Sequence, residues 1–286
     1  MSNSGLPASS DLAIQPVACH LGLSGDLRVR AASANIATVL GTPALECLGQ
    51  TMTCLMPADS VHDIRNRMAL LRDEQAVEHL FRRRLEPDCE PFDLSIFRVG
   101  DGFGVDFEAR VDHGFGDATG LIAGMLARLK PGSDAAALGA SAAGQLRSLT
   151  GFDRVSIYVR GELLCCSTRN RQALETDQPP PPVNAFMLID RNAAPVAILT
   201  SGHHNSALAC SELRSASAEE LEWISTAGAE AAVVLPLAGD GETFGLASCT
   251  SAVPRHISPE RRGIARLFAN LFALRLQIAE LRAHSN

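Results

Sequence analysis

Three times along this chain, two apolar-rich runs flank a short glycine-containing turn: 92–99 and 103–111 around Gly100-Asp101-Gly102, 155–159 and 162–167 around Gly161, and 231–237 and 243–249 around Gly239-Asp240-Gly241. Alternation with a period of two sends successive side chains to opposite faces, and glycine supplies the backbone angles that a tight reversal needs. Each pair therefore predicts an antiparallel hairpin with one face over a core. Between the hairpins the apolar spacing turns to three and four residues, which predicts helices. The chain is thus expected to be α+β, built from antiparallel sheets with flanking helices.

The pattern divides the 286 residues into two domains. Residues 1–10 are small and polar and predict a loose tail. From 11 to 116 we expect two short strands over 21–29 around Ser24-Gly25-Asp26, a helix over 31–40 stopping at Gly41, helical spacing over 44–55 and 61–71, and then the first hairpin. The order β-β-α-α-β-β in about 100 residues resembles a PAS-like sheet. Residues 117–286 form the second domain. Its first helical stretch, 118–149, is interrupted at Lys130-Pro131-Gly132-Ser133, because proline disfavours helix in the residue before it. Strands are expected at 186–189 and 196–200 and a helix at 218–227. Four prolines between Gln178 and Val183 remove four amide donors, so that run must be an exposed or edge connection. At the end Ser258 can cap, Pro259 suits the first helical position, and Ile264, Leu267, Phe268, Leu271, Leu274, Ile278 and Leu281 repeat at helical spacing. Such a helix can cover a sheet and also pair with a second copy, so we expect a homodimer through Ile264, Leu267, Phe268, Leu271, Leu274 and Ile278.

Composition narrows the function. A net charge of -7 opposes nucleic acid and anionic membrane as partners, since both are held by a surplus of Lys and Arg. No apolar stretch reaches the roughly 18–20 residues that cross a bilayer, and the N-terminus has neither a basic region nor an apolar signal core, which points to the cytoplasm. There the eight cysteines should be thiols, mostly small buried side chains. No nucleophile-base-acid arrangement emerges, so no enzyme is expected. Arg82-Arg83-Arg84, with Glu78, Glu86 and Glu90 nearby, reads as a solvated face. His203-His204 read as a solvated loop pair rather than metal ligands, because neighbours in an extended segment point to opposite sides.

Motifs then carry a resemblance. Ala13-Ile14-Gln15-Pro16, a strand pair and Ala31-Ala32-Ser33-Ala34-Asn35 resemble the opening of the PAS domain of bacterial phytochromes. Leu149-Thr150-Gly151-Phe152-Asp153-Arg154-Val155 with Tyr158, Leu213-Arg214-Ser215-Ala216-Ser217, and Phe244-Gly245-Leu246-Ala247-Ser248-Cys249 are similar to segments of the phytochrome GAF domain. The resemblance spans roughly residues 11–280 and implies a PAS-GAF photosensory region with the N-terminal segment threaded through a GAF loop. It implies no third domain and no kinase module, since the chain ends within the helix that would lead to them.

The same resemblance implies a bilin pocket, and many of its residues are changed. No cysteine precedes Ile14 to attach biliverdin, the nearest thiol being Cys19, which could still place a reactive or ligand-attaching group at the pocket mouth. Expected histidines are replaced by Val17, Glu220 and Thr250, expected propionate-binding serines by Ala232 and Val234, and the aspartate motif by the proline run. Tyr158 and Arg214 remain, Trp223 stands where an aromatic is expected, and Glu220 could pair with pyrrole nitrogens. Burying a tetrapyrrole's charges without partners would cost several kcal/mol. The remnant site is therefore Cys19, Tyr158, Arg214, Glu220, Trp223 and Thr250. The expectation is a regulatory protein without a cofactor, acting on a signalling partner. The alternative is a sensor that still holds biliverdin, another bilin or haem in a remodelled pocket.

Overall fold

The structure, a computed structural model, describes residues 12–72, 76–85, 90–111, 116–130, 132–169, 178–181, 185–201, 208, 210–239 and 242–284. The expected tail, His203-His204 and the turn residues Asp240-Gly241 lie outside the described residues. The chain separates into two units: Met1–Val111 with Ala193–Ser215, and Asp112–Asn192 with Ala216–Asn286.

In the first unit, β1 (Ala13–Ile14), β2 (Ala18–Leu23), β3 (Val29–Ser33), β4 (Val77–Arg83), β5 (Phe92–Val99) and β6 (Gly102–Ala109) join a late strand, β10 (Val196–Thr200). They form one antiparallel sheet in the order β1-β10-β3-β2-β6-β5-β4. Four helices, α1 (Ala37–Leu40), α2 (Ala44–Cys47), α3 (Met52–Leu55) and α4 (Ala58–Met68), lie between β3 and β4 in sequence. They close a core in which Leu21, Leu94, Ile96, Val105 and Phe107 of the sheet share one cluster with Ile36, Met52 and Ile64.

Two expectations change here, and one strand is added. Residues 31–33 are strand, not the start of a helix: Ala31 and Ala32 pair with both β2 and β10, and tertiary pairing overrides alanine's helical preference. The small side chains are needed there, since a Cβ at Gly22 would stand 2.9 Å from that of Ala31. The helix expected over 44–55 is two short ones, interrupted where Gly49 takes a left-handed φ of 81°. The basic run belongs to an edge strand: β4 bulges between Leu80 and Arg83, Arg82 takes a positive φ, and Arg83 pairs with Asp63. A bulge and charged residues blunt an edge and also destroy the alternation by which a strand is recognised.

The second unit begins with α5 (Ala118–Ala127), capped by Asp117, and α6 (Ala135–Thr150), capped by Asp134 and ended by Gly151 at φ 74°. Then come β7 (Arg154–Val159), β8 (Glu162–Thr168), β9 (Phe186–Leu188), α7 (Ala218–Thr226), β11 (Ala231–Gly239), β12 (Glu242–Ser251) and α8 (Pro259–His284). The sheet is antiparallel in the order β8-β7-β12-β11-β9. Strand alternation sorts its residues cleanly. Val155, Ile157, Val233, Leu235, Ala247 and Cys249 face α6 and α8, whose Leu146, Phe268, Phe272 and Leu276 are fully buried. The opposite face carries α7, with Trp223 and Ile224 packed on Phe186, Leu188, Ala232 and Val234. Among the described residues no helix is long and apolar enough to cross a membrane.

Candidate functional site

On the α7 face of the second unit, registered pairs place Tyr158 opposite Leu246, Ser156 opposite Ser248, and Arg154 opposite Thr250. All of these except Leu246 are buried. The Arg154 Nε donates to Ser156 Oγ at 2.9 Å. Thr250 also pairs with Ala232 on the other side. The expected site residues Tyr158 and Thr250 thus share one sheet face, together with Arg154, Ser156 and Ser248, which sequence reasoning passed over. Their signal was present: arginine, serine and tyrosine at every second position of β7 place a polar series on one face.

Trp223 meets Tyr158 through a third group. The Tyr158 hydroxyl and the Trp223 indole N–H both donate, each at 3.2 Å, to the backbone carbonyl of Gln178. That carbonyl opens the proline run, whose Pro180 is buried. A buried hydroxyl and indole each need a partner, and here both find one in the chain itself. Glu220 is 2% exposed and spends its carboxylate locally: Oε2 accepts the Ser217 N–H at 2.7 Å while the Glu220 N–H donates to Ser217 Oγ, a reciprocal cap at the start of α7. Ala232 and Val234 lie in the apolar cluster, while Tyr158, Trp223 and Glu220 each bond to backbone.

Cys19 and Arg214 belong to the first unit. The Cys19 thiol is buried, 3.5 Å from the Asn35 carbonyl and 3.4 Å from Thr38 Oγ1, and burial raises its pKa, which keeps it protonated and poorly nucleophilic. Arg214 donates to the Ser215 carbonyl at 3.1 Å, and its backbone bridges Ile14. Gln15 fixes the same segment, donating its N–H to Leu213 O at 2.9 Å and its Nε2 to Arg214 O at 3.2 Å. A buried polar array close by was not foreseen. Asp106 accepts from His20 Nδ1 at 2.7 Å and from the Ser211 hydroxyl at 2.5 Å, so one carboxylate ties β2, β6 and the late segment together. Nothing in spacing alone brings residues 20, 106 and 211 together.

The pairing helix also needs correction. Ile264 and Phe268 are buried inside their own unit and cannot form a seam. Leu267, Leu274 and Ile278 are 46, 45 and 47% exposed, Leu271 is half-buried, and Leu281 continues the same stripe.

The GAF domain family matches residues 134–276, half of the chain, and the PAS fold family matches residues 9–110. The chain belongs to the GAF domain family. Its PAS-GAF fold resembles that of the photosensory core module of a Stigmatella aurantiaca phytochrome, with a TM-score of 0.79 and 23% identity over 98% of this chain. That likeness covers 60% of the Stigmatella chain, so this PAS-GAF chain spans less than two thirds of its length. The chromophore-binding domain of a bacteriophytochrome from R. palustris matches with a TM-score of 0.77 and 21% identity, covering 98% of both chains. The chromophore-binding domain of Stigmatella aurantiaca phytochrome P1 matches with a TM-score of 0.76 and 21% identity, covering 94% of this chain and 98% of that one. No curated protein matches the PAS-GAF sequence. The chain thus carries a PAS fold followed by a GAF domain.

Proposed function

We propose that this PAS-GAF chain is a phytochrome-related regulatory module that acts through protein contacts and not through a bilin, and that it has no catalytic role. The observation that carries this reading is the shared Gln178 carbonyl. Tyr158 and Trp223, the ring donors retained from the expected pocket, are turned onto the chain's own backbone, and Glu220 is held in its cap. A tetrapyrrole needs acceptors for its pyrrole nitrogens and donors for its carboxylates, and leaving either unpaired in a buried site costs several kcal/mol. These residues do not fit such a group as they stand. The exposed stripe of Leu267, Leu271, Leu274, Ile278 and Leu281 at heptad spacing supports self-association through α8.

A second reading draws on the α7 face. Arg154, Ser156, Ser248 and Thr250 form an unusually polar lining for a buried sheet face, the kind of surface that favours a retained ligand, a bilin or haem included. Purification from cells that make both biliverdin and haem, followed by an absorption spectrum, separates the two. We expect no band above the protein's own ultraviolet absorption; a stoichiometric visible or far-red band would give the second reading the field. Light scattering on the same sample should give twice the chain mass of 30.3 kDa.

A further inference from the structure

On the flank of α8, bordering its apolar stripe at Ile278, a groove of about 660 Å³ runs between the helix and the connection from α5 to α6. Lys130, Arg275 and Arg282 line it, with Leu138, Ile278 and Ala279 supplying apolar surface. No hydrogen bond or ion pair engages the side chain of any of these three cations among the described residues. Asp134, the carboxylate beside them, already accepts the Ala137 N–H at 2.7 Å as the cap of α6. Glu280, the acid nearest in sequence, is held by a two-point contact with Arg160 at 2.8 and 3.2 Å. A chain of net charge -7 therefore gathers three cations against one carboxylate, Asp134, around one partly apolar groove.

We propose that this groove is a docking site for an acidic amphipathic segment of a partner protein. The inference rests on the interaction-module reading and deepens it by naming the surface and the partner's chemistry. Arg275 and Arg282 lie two turns apart on one helix face, about 10 Å along the axis, a spacing that matches carboxylates seven residues apart on a docking helix. Guanidinium forks bind carboxylates in two-point contacts, and an apolar side chain between them can pack on Ala279. A single small anion is a poorer occupant, because the cations are spread along the groove instead of converging. Nucleic acid would want aromatic platforms for its bases, and no aromatic residue lines the groove. An anionic bilayer would be repelled by the net charge.

The test uses the full chain and a labelled amphipathic peptide whose polar positions are all Glu and apolar positions all Leu, with a Lys/Leu peptide as its counterpart. In fluorescence anisotropy the Glu/Leu peptide should bind, weaken as salt rises, and lose roughly tenfold or more in affinity with the double variant Arg275→Glu, Arg282→Glu. The counterpart should not bind the native chain. Both arginines reach solvent, so the variant should retain its circular dichroism spectrum. Equal binding of the two peptides, or an affinity unmoved by the variant, would overturn the groove. So would displacement of the peptide by inorganic phosphate, or preferential binding to phosphatidylserine vesicles. Absorbance of the same sample keeps the two claims apart. A bound pigment sinks the interaction-module reading, whereas failed peptide binding by pigment-free protein sinks the groove alone.

Discussion

The two faces of the five-stranded sheet are made by alternate residues of the same strands, yet they are different materials. Beneath α6 and α8, β7 and β12 offer Val155, Ile157, Ala247 and Cys249; one residue along in each case, toward α7, they offer Arg154, Ser156, Ser248 and Thr250. The first face is a packed core whose value lies in close contact. The second holds buried polar groups, which are worth having only while each has a partner, and the geometry at Gln178 shows how two of them are served. The contrast teaches that the α7 face can change its side chains at little cost to the fold, because the stabilising face is the other one.

The contrast can be broken most directly through Phe272, fully buried on the helical face. Phe272→Ala should cost about 3–5 kcal/mol by urea unfolding, whereas Ser248→Ala on the opposite face should cost about 1 kcal/mol or less. Similar losses at the two sites would erase the distinction. A smaller effect sharpens the polar side. Trp223→Phe removes one of the two donors to the Gln178 carbonyl and should cost about 1 kcal/mol. Because Tyr158 shares that acceptor, a double-mutant cycle with Tyr158→Phe should show coupling, and strict additivity would mean that the carbonyl does not join them.

The smallest effect concerns Cys249, whose thiol is pushed up to about 12 by burial against the helical face. A thiol that ionises later in the folded state than its ordinary value of 9.0 holds its proton in the fold while the unfolded chain releases it. Stability from this source is complete below about pH 9 and is lost as pH climbs toward 12. Cys249→Ala should therefore flatten the alkaline decline in melting temperature across that window. Its slope there should be shallower than that of the native chain.

Much of this architecture was legible beforehand. Hairpins announce themselves because alternation and glycine turns are local signals, and α8 did so through Ser258, Pro259 and its apolar spacing. What escaped was non-local or mixed. The helical period of α8 could not say which apolar residues face inward, so Ile264 and Phe268 were grouped with Leu267 and Leu274 although only the latter pair is exposed. At the candidate site, Tyr158, Glu220, Trp223 and Thr250 could be named from motifs, but the role of Glu220 as a cap partner of Ser217 depends on where α7 begins. The convergence on Gln178 depends on where a proline-rich connection passes, and the His20-Asp106-Ser211 array joins residues nearly two hundred positions apart.

The strand β10 closes a gap that matters to how this protein can be made. It sits between β1 and β3, so the sheet that starts at residue 13 is incomplete until residue 200 has been supplied. Loop closure over such a span is slow and entropically costly. A nascent chain leaving the ribosome must therefore wait with a bare β3 edge, exposed to misassembly, through most of its synthesis. For the same reason a fragment cut at residue 116, where the sequence-based boundary would invite the scissors, lacks an interior strand and should be handled as an incomplete body.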